Sequence, residues 1–321
     1  MNTMLEARSH RSSLAHATGL RTQRRLDRLV PYFFIGPAML VVLLLVFAPA
    51  VANIGFSLED GLLTSPQRFA FVGLEHYQFI LTDPDVYAAV VRALGFALIM
   101  AVLAPTVGLA WALLLNENFP LRDLYRIVVM LPWVLSGIIV GRVWSWLVDP
   151  NFGYLAHLIN LLILSPLGFK VTGDGWLGDP MGAWIAIILA STWGRFPFAY
   201  IMFLAGLQSI PRELYEAAMV DGASRFQRFR YITVPRLWFI GMIVCLLVFI
   251  GAFNDFGVIL VMTQGGPADA TMVLSYLIYQ TLTLFLRFGR GAALALLVVV
   301  FLAGFSTLYL TLLRRQSIEE V

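Results

Sequence analysis

Six long apolar stretches constrain this chain more than any other feature. They run approximately Phe33–Ser57, Val86–Leu115, Tyr125–Val148, Met181–Leu207, Trp238–Thr263 and Gly291–Leu313. A helix needs about 20 mostly apolar residues to cross a bilayer, and each stretch meets that length. Two shorter stretches, Gly153–Ser165 and Thr271–Phe288, read as interfacial or re-entrant helices. The first is too short to span, and polar Ser275, Tyr276, Gln280 and Thr281 interrupt the second. Only 13% of the 321 residues are charged, against about 25% in average soluble domains. The expected fold class is all-α, a polytopic membrane protein with six transmembrane helices. A soluble enzyme, a disordered chain and a coiled coil are excluded.

Six spans put both termini on one side, and the basic residues say which. The tail before the first span holds six arginines, Arg8 to Arg28, and the stretch Arg212 to Arg236 holds five more. With Arg122, Arg126, Arg314 and Arg315 that face carries fifteen basic residues. The other carries Arg68, Lys170, Arg287 and Arg290. Both termini are therefore expected in the cytoplasm. The chain divides into a basic arm over 1–30, a membrane domain over 31–313 and a short tail over 314–321. Ala50-Val51-Ala52 has the form of a signal cleavage site, but the apolar run before it is too long for a signal peptide.

Lys170, the sole lysine, lies in Phe-Lys-Val. A phosphate-binding loop needs lysine followed by Ser or Thr, so this chain is not itself a P-loop ATPase. The single cysteine, Cys245, excludes an internal disulfide. The four histidines have no metal-ligand spacing, so no metal and no catalytic residue is expected.

The cytoplasmic stretch Gln208–Pro235 is the most informative. Pro211 and Glu213 start a helix, Gly222 suits a tight turn, Ser224 caps a second short helix through Phe226, Phe229 and Ile232, and Pro235 ends it. By spacing alone it is equally an interfacial connector or a docking knob. Glu216-Ala217-Ala218, then Gly222, Ile232 and Pro235, resemble the EAA loop of permeases of ATP-binding-cassette (ABC) importers. The family pattern is E-A-A-x3-G-x9-I-x-L-P, and the one departure is Val234 in place of Leu. Asp221-Gly222-Ala223, Gln208-Ser209-Ile210-Pro211 and Gly265-Gly266-Pro267 resemble the maltose-type, carbohydrate-uptake branch.

That resemblance implies a type I ABC importer fold in a bacterial inner membrane. It implies a permease subunit forming half of a sugar pathway that works by alternating access. The implied partners are a second homologous permease, two ATPase subunits carrying ATP and Mg, an extracytoplasmic solute-binding protein, the sugar and membrane lipid, with no nucleic acid. Within the EAA loop (208–236), Glu216 would make the polar docking contact, with Ala217, Ala218, Asp221, Gly222 and Ala223 beside it.

Ionisable residues inside spans are functional hypotheses by default. Arg92 near a span end can snorkel. Arg142 is equally a paired structural residue or a cavity-lining one. Arg195, followed by Pro197, and Asp255 in Phe-Asn-Asp-Phe can pair between helices. The resemblance places a sugar site near the membrane middle on three segments. Carried over by position, the candidates are Trp133, Gly137, Gly194, Arg195, Phe198, Gly251, Asn254 and Asp255. Arg195 either receives an anionic substrate or is neutralised by Asp255, and the second reading is preferred. One rival is an ion-coupled secondary transporter using Asp255 and the membrane arginines. It expects an internal repeat of spans, and none is evident. A membrane-embedded enzyme expects a cluster of His, Asp or Glu, or an activated Ser or Cys, also not evident.

Overall fold

The computed structural model describes residues 32–61, 70–151, 153–159, 161, 162, 165, 166, 168 and 175–319. The basic arm, Arg68 and Lys170 lie outside the described residues. The long helices are α1 (Tyr32–Ser57), α3 (Pro84–Asn116), α7 (Pro180–Gln208), α9 (Arg225–Asn254) and α12 (Phe288–Glu319). Between them lie a two-stranded hairpin, β1 (Glu59–Asp60) with β2 (Ala70–Phe71), and seven shorter helices. These are α2 (Glu75–Ile80), α4 (Arg122–Val134), α5 (Gly137–Leu147), α6 (Tyr154–Ile159), α8 (Arg212–Val220), α10 (Gly257–Met262) and α11 (Leu274–Thr283).

The centre is the pair α3 and α7. Buried Ala89, Ala93, Ala97, Ala104, Gly108 and Ala112 form a stripe of small residues along α3. In lipid, helices gain nothing by hiding apolar surface from each other, so close packing of small residues drives association. Gly108 marks the tightest approach. A Cβ there would fall 2.6 Å from the Ala199 Cβ and 2.7 Å from the Tyr200 nitrogen. Helix α1, by contrast, is exposed along its whole apolar window and touches α12 near its end. There Asn53 Nδ2 donates to the Ala292 carbonyl (3.3 Å) and the Phe56 and Phe288 rings meet edge to face.

The expected straight third span is not straight. Helices α4 and α5 are bent by 102° at a short break. Pro132 has no N–H and its ring crowds the preceding turn, so α4 ends at Val134. Leu135 and Ser136 are extended, and the Ser136 hydroxyl caps α5 by accepting from the Ile139 N–H at 3.4 Å. The expected fifth span is likewise broken. Asp255 is extended between α9 and α10. Among the described residues, five continuous helices and one bent pair thus have the length and composition to cross a membrane.

A second correction concerns Pro235, which does not end the helix begun at Ser224. A π-turn over Phe229–Thr233 carries the chain past it, and the Val234 N–H donates to the Phe229 carbonyl. The wider turn places Pro235 at the start of a new α segment, where a missing N–H is harmless. The expected interfacial helices are α6, within Gly153–Ser165, and α11, within Thr271–Phe288. Gly265-Gly266-Pro267 lies in the turn between α10 and α11. Gly265 there has φ +84°, and buried Thr271 ties the turn by its hydroxyl to Thr263 (2.7 Å) and to the Gly266 carbonyl (2.7 Å).

Candidate functional site

Two regions gather the residues singled out in the sequence. The first is the loop after α7. Helix α8 closes in a Schellman motif. The Ala223 N–H donates to the Ala218 carbonyl (2.8 Å) and the Gly222 N–H to the Met219 carbonyl (3.1 Å). That motif needs a left-handed residue after the helix, and Gly222 supplies it with φ +79°. The spacing Ala-Ala-x3-Gly is therefore the length of a helix stop. Ser224 then starts α9 with a capping box. Its hydroxyl accepts from the Gln227 N–H, and the Gln227 side chain accepts from the Ser224 N–H at 2.7 Å.

Two rigid helical pieces thus meet at a fixed corner. The Tyr215 hydroxyl, 2.9 Å from Thr233 Oγ1, pins α8 to the π-turn. Glu216, Ala217, Asp221 and Gly222 are exposed, and Ala218 and Ala223 are half-buried. Around them stand apolar side chains that the chain leaves uncovered: Val220 at 89%, Phe226 and Tyr231 at 73% each, and Met219 at 51% exposure. A small-residue surface with a projecting carboxylate and an apolar rim fits a protein cleft.

The second region lies where the two breaks meet. Arg195 Nη2 on α7 pairs with the Asp255 carboxylate, and the two side chains are 18% and 24% exposed. Arg195 Nη1 also donates to the Ser191 carbonyl at 3.2 Å. Helix α7 runs unbroken through Pro197. The Asp255 Oδ1 accepts from the Gly257 N–H (2.8 Å), and the Ser275 hydroxyl donates to the Asp255 carbonyl (3.0 Å). These contacts satisfy polar groups that the helix break frees, as a low-dielectric setting requires.

Gly137 is pressed against this pair. A Cβ there would meet Asp255 Oδ1 at 3.4 Å, and one on Gly257 would meet the Gly137 carbonyl carbon at 3.4 Å. One turn on, a Cβ at Gly141 would lie 3.2 Å from the Val258 Cα. Gly137-x3-Gly141 is thus a close-packing face of α5 against α10. The sequence carried this small-x3-small signal, but only Gly137 was singled out.

Other candidates fall around this centre. The Trp133 and Phe198 rings pack with centroids 6.2 Å apart, and Gly194 abuts Val140. Trp144 and Trp193 meet edge to face at 6.4 Å. Gly251 and Asn254 are on the exposed side of α9, and Asn254 turns back to donate to the Ile250 carbonyl (2.9 Å). Arg142 is exposed on α5, and Arg92 donates to the Met272 carbonyl at 3.5 Å. Of the four membrane ionisable residues, Arg195 and Asp255 meet each other. Ser136, Gly257 and Ser275, which the sequence reading missed, hold the break in shape.

Residues 104–318 match the family of binding-protein-dependent transport system inner membrane components. The trehalose/maltose transport system permease protein MalF of Thermococcus litoralis is 34% identical over 87% of this chain and 92% of its own length. The sulfoquinovosyl glycerol transport system permease protein SmoG of Agrobacterium fabrum is 33% identical over 91% of this chain and 92% of its own. In fold, the chain superposes on a crystal structure of a bacterial ABC transporter that imports the acidic polysaccharide alginate. The TM-score is 0.75 at 21% identity, over 92% of this chain and 99% of that one. The chain therefore belongs to the inner-membrane permease components of binding-protein-dependent ABC importers, a family of transport subunits and not of enzymes.

Proposed function

We propose that this chain is one of two permease subunits in a sugar importer. ATP, with Mg, is hydrolysed on two separate ATPase subunits, and an extracytoplasmic binding protein delivers the solute. The observation that carries this is the exposed, rigidly closed α8 with Glu216 projecting beside uncovered Val220 and Met219. Such a surface has the form of a coupling helix, and Gly222 ends it with a left-handed turn. The arginine count of the loops supports cytoplasmic termini and, with them, α8 on the ATPase side.

The same reading makes the junction of the two breaks the solute site. Arg195 and Asp255 neutralise each other, which supports a neutral, hydroxyl-rich solute over an anionic one. Trp133 and Phe198 offer aromatic faces suited to sugar rings. The names of the relatives support a sugar or glycoside as the class.

The test is extraction in mild detergent with a tag on the C-terminal tail, followed by identification of co-purifying chains and an ATP hydrolysis assay. A second permease and an ATPase are expected, with hydrolysis raised by a sugar-loaded binding protein. Glu216→Lys should remain in the membrane yet lose the ATPase. A chain that purifies alone in several mild detergents sinks the reading.

A further inference from the structure

A cleft of about 630 Å³ opens at the opposite end of the molecule from α8, between the amino-terminal ends of α3 and α12. Its volume is within the range of small-molecule sites, about 300–1,000 Å³. None of the solute-site candidates lines it, and it is joined to their region through α11, whose Ser275 holds the Asp255 carbonyl and whose Leu277 lines the cleft.

The lining is mixed in charge. Asp83 and Asp85 stand at the start of α3, and Arg287 and Arg290 stand beside the start of α12. Asp83 already spends one oxygen on capping α3, accepting from the Asp85 N–H at 2.9 Å. The Arg290 guanidinium lies 3.7 Å over the Phe79 ring, which fixes its plane. Its Nε is buried with no hydrogen-bond partner. Neither guanidinium is within ion-pair distance of a carboxylate among the described residues. Two cations, one of them held over an aromatic ring, and two acids thus line one cavity without cancelling by contact.

The shoulder of the cleft is apolar. Leu284 and Phe285 line it and are 61% and 56% exposed. Two candidate spans, α3 and α12, begin here, and a span's end lies near the level where headgroups meet acyl chains.

We propose that this cleft holds the headgroup of a zwitterionic aminophospholipid. The guanidinium forks of Arg287 and Arg290 take the phosphodiester, the carboxylates of Asp83 and Asp85 take the ammonium, and an acyl chain lies on Leu284 and Phe285. The acids disfavour a net anion, so phosphatidylglycerol and free phosphate are poorer occupants.

The experiment is native mass spectrometry of the intact importer, released from vesicles of equal phosphatidylethanolamine and phosphatidylglycerol. One phosphatidylethanolamine should survive, favoured about tenfold over phosphatidylglycerol, and inorganic phosphate should not displace it. Arg287→Gln should weaken retention, as should Arg290→Lys, which keeps a cation over Phe79 but not the fork. Asp83→Asn with Asp85→Asn should shift the preference toward phosphatidylglycerol, and Asn still caps α3. Equal retention of both lipids overturns the proposal. So does displacement by phosphate alone, unchanged retention in both arginine variants, or an empty cleft that only the binding protein covers.

Discussion

At the scale of single residues, the Arg195–Asp255 pair carries the most weight. Each group is mostly removed from solvent, so neither tolerates loss of the other. Asp255→Ala should destabilise the protein by about 3 kcal/mol, the lower end for breaking a buried pair, and Arg195→Ala by a similar amount. The double variant should recover much of that loss, because no unpaired charge remains. Thermal unfolding in detergent of the two single variants and the double variant measures the coupling. Strict additivity would mean that the pair is not a pair in solution. The sequence made this contact legible, since both residue types are costly in lipid and need partners. It did not show Ser275 or Gly257, because a serine hydroxyl and a glycine N–H carry no signal until the break that exposes the Asp255 carbonyl is known.

At the scale of elements, the glycines set where helices stop and how near they come. Gly222→Val puts a β-branched residue at φ +79°, and left-handed strain of about 1–2 kcal/mol should loosen the end of α8. Co-purified ATPase should fall while membrane levels of the protein hold. Gly108→Leu should be worse for the molecule itself, because the side chain meets the backbone at Tyr200. A loss of about 1–3 kcal/mol or failure to fold is expected, read as detergent melting temperature or yield.

Element existence followed from apolar length, and the EAA loop's first helix and the start of its second followed from turn and cap residues. The breaks did not follow. The apolar run passes through Leu135 and Ile138 without interruption, so hydropathy alone draws one straight span across Pro132 and Ser136. Pro235 misled in the opposite sense. Its local meaning is a stop, but a π-turn one residue upstream turns it into a start.

At the scale of the whole molecule, the two ends of the bundle differ in kind. One presents α8 and its apolar rim, and the other presents the charged cleft and the β1–β2 hairpin. Because Cys245 is the single cysteine, its replacement by Ala gives a clean background for mapping the sides. In cells, Thr82→Cys should react with a membrane-impermeant maleimide, and Phe226→Cys should react only after permeabilisation. Both positions are exposed. The reverse pattern would invert the topology and move α8 away from any cytoplasmic ATPase.

The π-turn in α9 has a mechanical consequence. By keeping Phe229–Thr233 helical, it makes one continuous helical rod from Arg225 to Asn254, about 45 Å long. One end of that rod is bolted to the corner at Ser224, and the other stops at the extended Asp255. Along its length the π-turn and Pro235 are the places where a helix bends most readily. On the function proposed above, a push on that corner would be carried to the break beside Gly137 and Arg195, where α10 packs closely against α5.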